Sequence, residues 1–123
     1  MTNQEIMMRL DLVRQLGNVR GKLGWYVYRN IKVLAAACAE AVKIRDDAVI
    51  KYGTKDGENV YSINPESKRW QEYVAEVEPV MKIEQNVKLE KISREEFDVL
   101  AKDTDLSATE LTILDELIVE DRK

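Results

Sequence analysis

The sequence predicts a mainly α-helical fold of the α+β class, in which helices dominate and a small β element is added. Apolar residues recur at helical spacing along most of the chain, three capping-box patterns mark helix starts, and one helical pattern is much longer than the others. A chain of 123 residues is long enough for one domain and too short for two ordinary ones. We therefore expect residues 1–123 to form a single domain around a long central helix.

The N-terminal helix is predicted to start at Thr2. The segment Thr2-Asn3-Gln4-Glu5 matches a capping box, in which the hydroxyl and the carboxylate each satisfy an unpaired backbone donor. The apolar positions that follow have helical spacing: Ile6, Leu10, Val13 and Leu16. Gly17-Asn18 predicts the end of this helix, because both residues accept a left-handed backbone conformation.

The central helix is predicted from about Gly21 to Tyr52. Its apolar stripe recurs at spacings of three, four or seven residues: Leu23, Val27, Ile31, Leu34, Cys38, Val42, Val49 and Tyr52. Five alanines between Ala35 and Ala41 make its middle thin enough for another helix to approach closely. A helix of roughly 45 Å is long for a domain whose expected radius of gyration is about 14 Å. We therefore expect a homo-oligomer.

The middle of the chain combines turn, strand and helix signals. Asp56-Gly57 predicts a turn, and Asn59–Ile63 predicts a short strand. A helix is predicted to start at Asn64-Pro65-Glu66 and to end at Glu78-Pro79. Its apolar face consists of Trp70, Tyr73, Val74 and Val77. Val80–Ile92 alternates in patches and is the strongest strand signal, so the β element is expected to have two or three strands.

Two further capping boxes predict two short acidic C-terminal helices. They are Ser93-Arg94-Glu95-Glu96 and Ser107-Ala108-Thr109-Glu110. The apolar residues that follow them are Phe97, Leu100 and Ala101 in one helix, and Leu111, Leu114, Leu117 and Ile118 in the other. From Glu95 to Asp121 there are ten acids and one base. We interpret these acids as solvated helix faces, with docking of a basic partner or phosphate mimicry as the functional alternative.

The composition excludes several classes of function. The chain has no histidine and one cysteine, which excludes Ser-His-Asp and Cys-His catalysis, Cys/His zinc sites and disulfides within the chain. Asp103-Thr104-Asp105-Leu106-Ser107 begins like a calcium loop, but Ala108 and Leu114 stand where glycine and glutamate are needed. No glycine-rich phosphate loop is present. We therefore expect no enzyme, no metal and no cofactor.

The sequence predicts a cytoplasmic protein that does not enter a membrane. The N-terminus lacks the basic and apolar regions of a secretory signal, and no stretch approaches the roughly 20 apolar residues that span a bilayer. Cys38 lies in an apolar helical context, and a free buried thiol fits a reducing compartment.

One segment is a candidate binding surface. Between Asp11 and Glu40 there is no acid, and aromatic residues are interleaved with bases. The candidate ligand-binding residues are Arg14, Arg20, Lys22, Trp25, Tyr26, Tyr28, Arg29 and Lys32. Cations bind phosphates or carboxylates, and aromatic rings stack on bases or guanidinium groups. Trp25, Arg29 and Lys32 fall on one helix face, which predicts binding of a nucleotide, a cyclic-dinucleotide-like signal or a short nucleic acid.

The alternative for this segment is structural. The aromatic residues then belong to the core, and the bases pair with acids of the C-terminal half of the same or a neighbouring chain. Residues 1–51 carry a net charge of +4 and residues 52–123 a net charge of −8, so such pairing is available. The overall charge of −4 argues against nonspecific binding of duplex DNA.

The order of motifs resembles a family of small bacteriophage and prophage proteins of unknown function. The resemblance lies in a long helix that leads into Arg45-x-x-x-Val49-Ile50-Lys51-Tyr52-Gly53, then Asp56-Gly57, a helix, a Val/Ile-Glu region, and Leu106-Ser107-x-x-Glu110-Leu111-x-x-Leu114. It covers most of residues 21–118. The resemblance implies an accessory protein of a phage, located in the host cytoplasm, and it supplies no catalytic residues.

The sequence favours two functions over a small enzyme, which would have to use carboxylates, lysine or tyrosine. The first is a non-enzymatic accessory binding protein, such as a host-defence antagonist that sequesters a nucleotide signal or blocks a host protein. The second is a small oligomeric structural or chaperone-like protein of phage assembly.

Overall fold

The two predicted N-terminal helices pack against each other. The computed structural model describes residues 1–16, 19–102 and 104–120, and in it α1 spans Asn3–Arg14 and α2 spans Gly21–Tyr52. Thr2 caps α1 because its hydroxyl oxygen accepts a hydrogen bond from the backbone N–H of Glu5 at 3.1 Å. The predicted helix end at Gly17-Asn18 lies outside the described residues. With 32 residues, α2 is about 48 Å long.

A small hairpin and three further helices complete the described part of the chain. Strand β1 (Thr54–Gly57) pairs antiparallel with β2 (Val60–Ser62), and helices α3 (Trp70–Met81), α4 (Arg94–Lys102) and α5 (Ala108–Ile118) follow. In the hairpin Thr54 pairs with Ser62 and Lys55 with Tyr61. The predicted fold class is therefore confirmed: a mainly helical protein with a long helix and a two-stranded sheet.

The hydrophobic core lies along one side of α2. Helix α1 contributes Ile6, Leu10, Val13 and Leu16, and α2 contributes Leu23, Val27, Leu34 and Cys38. The other side of the core comes from the C-terminal part: Ile92, Phe97, Leu114, Leu117, Ile118 and Val119. Cys38 is buried as predicted. The first half of α2 is thus held by α1 on one side and by the acidic helices on the other.

The strand predicted over Val80–Ile92 is wrong. Its first residues belong to α3, and the rest forms only isolated bridges, between Glu84 and Thr2 and between Ile92 and Val119. The alternation of apolar residues reflects packing against the helices, and no described strand lies beside this segment. Val87 and Leu89 pack against the core, whereas Ile83 is half exposed.

The bounds of α3 also differ from the prediction. Residues 65–69 form turns, so the helix begins at Trp70 and not at Asn64-Pro65-Glu66. Pro79 lies inside the last turn, and the helix continues to Met81. Pro79 has no N–H to donate to the carbonyl of Ala75, four residues earlier. The loss of this hydrogen bond destabilises the helix little, because Ala75 is exposed and its carbonyl can bind water.

The two C-terminal helices begin where predicted. Ser93 accepts a hydrogen bond from the N–H of Glu96, and Ser107 with Glu110 forms a complete capping box. The predicted loop that starts at Asp103 has its first residue outside the described part of the chain. Among the described helices, none is both long enough and apolar enough to cross a lipid bilayer.

Candidate binding surface on the central helix

Four candidate residues form one exposed surface on the first half of α2. They are Trp25, Tyr28, Arg29 and Lys32, and we call them the basic-aromatic face. Their spacing puts them on the side of the helix opposite the buried Leu23 and Leu34. The predicted grouping of Trp25, Arg29 and Lys32 on one side of a helix is therefore what the structure shows.

The cations of this face lie over its aromatic rings. The guanidinium carbon of Arg29 is 5.1 Å from the centre of the Trp25 ring, and Nζ of Lys32 is 5.3 Å from the centre of the Tyr28 ring. Both distances are within the range of cation–π attraction. The two contacts hold flat aromatic surfaces beside positive charge, and Trp25 and Tyr28 are 52% and 59% exposed.

Two of the candidate cations pair with acids from later in the chain. Nε and Nη2 of Arg29 both donate to Oε1 of Glu90, at 3.1 and 2.7 Å, and Lys22 pairs with Glu96 of α4. The hydrogen bond that each cation donates to its acid, followed by the charge of that acid, raises the pKa of Lys22 and of Arg29 above its ordinary value. The structural alternative, in which bases pair with the C-terminal half, therefore holds for these two side chains.

The remaining candidates fall outside the face. Tyr26 is half-buried, packs against the core and meets Trp25 edge to face, with ring centres 5.2 Å apart. Arg20 precedes the first turn of α2, and Arg14 lies in the last turn of α1. Both arginines are exposed, and neither forms an ion pair within the described residues. The structure thus brings together half of the predicted site.

A buried amide fixes the acidic segment beside the face. Asn30 is fully buried, and its side chain donates to the carbonyl of Glu90 at 3.0 Å and accepts from the N–H of Glu90 at 2.8 Å. These two bonds replace the pairing that a neighbouring strand would give Glu90. They also place the Glu90 carboxylate within reach of Arg29, one residue earlier on α2.

The larger clefts lie away from the basic-aromatic face. One of about 630 Å³ lies between α4 and α5, where Arg94 donates two hydrogen bonds to Asp115 at 2.7 and 2.8 Å. Another of about 390 Å³ lies between Ala37 of α2 and Ile83. Neither cleft is lined by a residue of the face. In the described part of the chain, no three acidic or cysteine side chains come together as metal ligands would.

Sequence reasoning missed the residues that hold the site in place. Glu90 and Glu96 fix Arg29 and Lys22, and Asn30 fixes Glu90. Glu90 is 61 residues from Arg29, and no local pattern signals a pairing over that distance. The one available signal was the polar Asn30 on the otherwise apolar side of the helix.

Comparison of the chain with protein-family models, with curated proteins and with solved structures finds no match in any of the three.

Proposed function

We propose that this chain is a non-enzymatic binding protein that recognises another protein through the basic-aromatic face. The observation that carries this proposal is the exposure of Trp25 and Tyr28, each of which leaves more than half of its surface in water. Covering such rings gains the free energy of apolar burial. Tryptophan, tyrosine and arginine are also the residues that most often dominate protein interfaces.

A protein partner fits this face better than a free nucleotide. The face is the outer side of a helix, whereas small molecules bind in concave sites that surround most of their surface. Arg29 and Lys32 add positive charge, so we expect the partner to present carboxylates.

The phage context is part of the same proposal, and the resemblance in motif order supports it. In that context the partner is a host protein, such as a component of a defence system, and binding blocks its activity. The binding then takes place in the host cytoplasm.

The second candidate function is a small oligomeric structural or chaperone-like protein of phage assembly. The observation that favours it is the free outer side of α2, which stays exposed beyond the basic-aromatic face at Ala36, Ala39 and Ile50. A helix of 32 residues offers a long surface to a second subunit.

The proposal is tested by site-specific photo-crosslinking in bacterial cells. A photo-reactive phenylalanine analogue replaces Tyr28 in one variant and Val99, which is 62% exposed on α4, in a matched control. We expect the Tyr28 variant alone to form a covalent adduct with a protein of acidic surface. The purified partner should then bind the wild type at least about tenfold more tightly than Trp25→Ala.

Three results would contradict the proposal. They are adducts of equal yield from both positions, adducts with nucleotides or nucleic acid only, and unchanged affinity of the purified partner for Trp25→Ala. The variant Val99→Ala serves as the control for affinity, since it removes an exposed apolar side chain elsewhere.

A further inference from the structure

One row of residues on the outer side of α2 carries opposite charges in its two halves. Positions 22, 29, 36, 40 and 47 are separated by seven or four residues, so they lie in one row along the helix, which we call the charged row. All five are exposed. Lys22 and Arg29 make the first half of the charged row basic, Glu40 and Asp47 make the second half acidic, and Ala36 lies between them.

The acidic half of the charged row has unpaired carboxylates in the part of the chain that the structure describes. Neither Glu40 nor Asp47 forms an ion pair within residues 1–16, 19–102 and 104–120. Arg29 uses Nε and Nη2 on Glu90, and in the same described part its Nη1 makes no hydrogen bond. Because a guanidinium has five N–H donors, Arg29 can bind a second carboxylate without releasing Glu90.

We propose that a second copy of this chain binds antiparallel along the charged row, with α2 against α2 across a two-fold axis. When one helix is reversed against the other, Lys22 comes opposite Asp47 of the partner subunit, and Arg29 comes opposite Glu40 of the partner subunit. Both pairs are centred on the same point of the helix, so one register satisfies them. The symmetry repeats each pair, which gives four contacts between opposite charges.

The centre of this register carries a small side chain. The two-fold axis passes midway between positions 33 and 36, and Ala36 presents only a methyl group, so the helix axes can approach to about 8 Å. Trp25 then faces Lys43 of the partner subunit, and the exposed indole gains a cation. This inference goes beyond the proposed function, since it concerns a second copy of the chain on the charged row, which shares only Arg29 with the basic-aromatic face.

The size of the surface sets the expected affinity. From residue 22 to residue 47 the outer side of α2 is about 38 Å long, and a helix is about 11 Å wide with its side chains. Each copy therefore contributes roughly 400 Å², about half of what each partner buries in a standard specific interface. We expect a weak dimer that exchanges with the monomer. The dimer should dissociate as the salt concentration rises, because salt screens the charge pairs.

A charge-swap experiment on the full chain tests the inference by sedimentation velocity. One variant carries Lys22→Glu and Arg29→Glu, and the other carries Glu40→Lys and Asp47→Lys. Each alone brings like charges together, so its self-association should weaken at least about tenfold relative to the wild type. Mixed, the two variants should form a heterodimer, because every facing pair is again of opposite sign.

Cysteine crosslinking tests the register without changing any charge. Ala36→Cys brings two thiols near the two-fold axis, with their Cα atoms offset by about 4.5 Å along the helix axes, whereas Ala39→Cys offsets them by about 13.5 Å. Only the first offset is compatible with the roughly 4.4–6.8 Å Cα separation that a disulfide spans. We expect a covalent dimer on oxidation of Ala36→Cys and not of Ala39→Cys; the native Cys38 is buried in both.

Three results would overturn the inference. It is wrong if the wild type is a monomer at every concentration, if the swapped variants fail to associate when mixed, or if Ala39→Cys crosslinks as well as Ala36→Cys. Should Lys22→Glu with Arg29→Glu unfold the chain by circular dichroism, the cysteine pair decides. A monomeric wild type that still binds a partner through Trp25 contradicts this inference and leaves the proposed function standing.

Discussion

At the scale of single residues, position 24 requires glycine because the backbone of Val19 lies close to it. A Cβ atom at this position would meet the carbonyl oxygen of Val19, which is backbone and cannot rotate away. Replacing glycine by alanine inside a helix normally stabilises by about 1 kcal/mol. Here the steric conflict outweighs that gain, because the first turn of α2 would have to shift.

We therefore predict that Gly24→Ala lowers the free energy of unfolding by about 1–2 kcal/mol. The measurement is urea denaturation followed by circular dichroism. Gly57→Ala is the control, since its added Cβ would lie 3.9 Å from the Cβ of Val60, an ordinary contact. A Gly24→Ala variant as stable as the wild type would show that the loop before α2 adjusts freely.

Lys22 gives a second prediction at this scale. Its hydrogen bond to Glu96, followed by the charge of that acid, raises its pKa above the ordinary value of 10.5. A raised pKa in the folded state means that the pair stabilises the fold below pH 10.5, and that this contribution disappears as the pH rises through the raised pKa. We expect Glu96→Gln to return the pKa of Lys22 toward 10.5 in an NMR titration of the lysine Nζ groups. An unchanged pKa would contradict the pair, and Glu95→Gln, one residue away and exposed, is the control.

At the scale of elements, the three helices with a predicted capping box begin where that box predicts: α1, α4 and α5. Thr2 caps α1, and Ser107 with Glu110 caps α5, because these contacts connect residues three positions apart. The prediction of a strand over Val80–Ile92 was wrong, because alternation of apolar residues indicates only which side chains are buried. Alternation does not indicate whether another strand lies beside those side chains.

We predict that Ser107→Ala lowers the stability by about 1 kcal/mol, because it leaves the N–H of Glu110 without its acceptor. Hydrogen exchange should accelerate at the first amides of α5 more than at those of α1. Thr109→Ala changes an exposed residue in the same turn and serves as the control. Equal effects of the two substitutions would mean that the capping bond contributes nothing measurable.

At the scale of the whole molecule, side-chain amides hold the irregular segment after α3 against the helices. Gln85 donates to the carbonyl of Ala37 at 2.7 Å and also bonds Asn3, while Asn30 binds both backbone groups of Glu90. These bonds pair the backbone and side-chain groups that burial removes from water. The segment therefore connects the acidic helices to α2 without a sheet.

We predict that Asn30→Ala lowers the free energy of unfolding by about 2–4 kcal/mol, because it leaves two backbone groups of Glu90 unpaired. The same variant should loosen Glu90 and so increase the mobility of Arg29 in NMR relaxation. Asn86→Ala is the matched control, since Asn86 is exposed on the same segment. A loss no larger than that of the control would show that water replaces the amide.

The sequence by itself determined the helical class, the bounds of α2 and the capping of α1, α4 and α5, because periodicity and caps act between residues a few positions apart. It also grouped Trp25, Arg29 and Lys32, since their spacing alone puts them on one side of a helix. Only the tertiary structure decided that Glu90 and Glu96 neutralise Arg29 and Lys22, that Tyr26 packs against the core, and that Val80–Ile92 forms no strand. Those outcomes depend on which distant residues meet, and burial and pairing over 60 residues or more leave no local pattern.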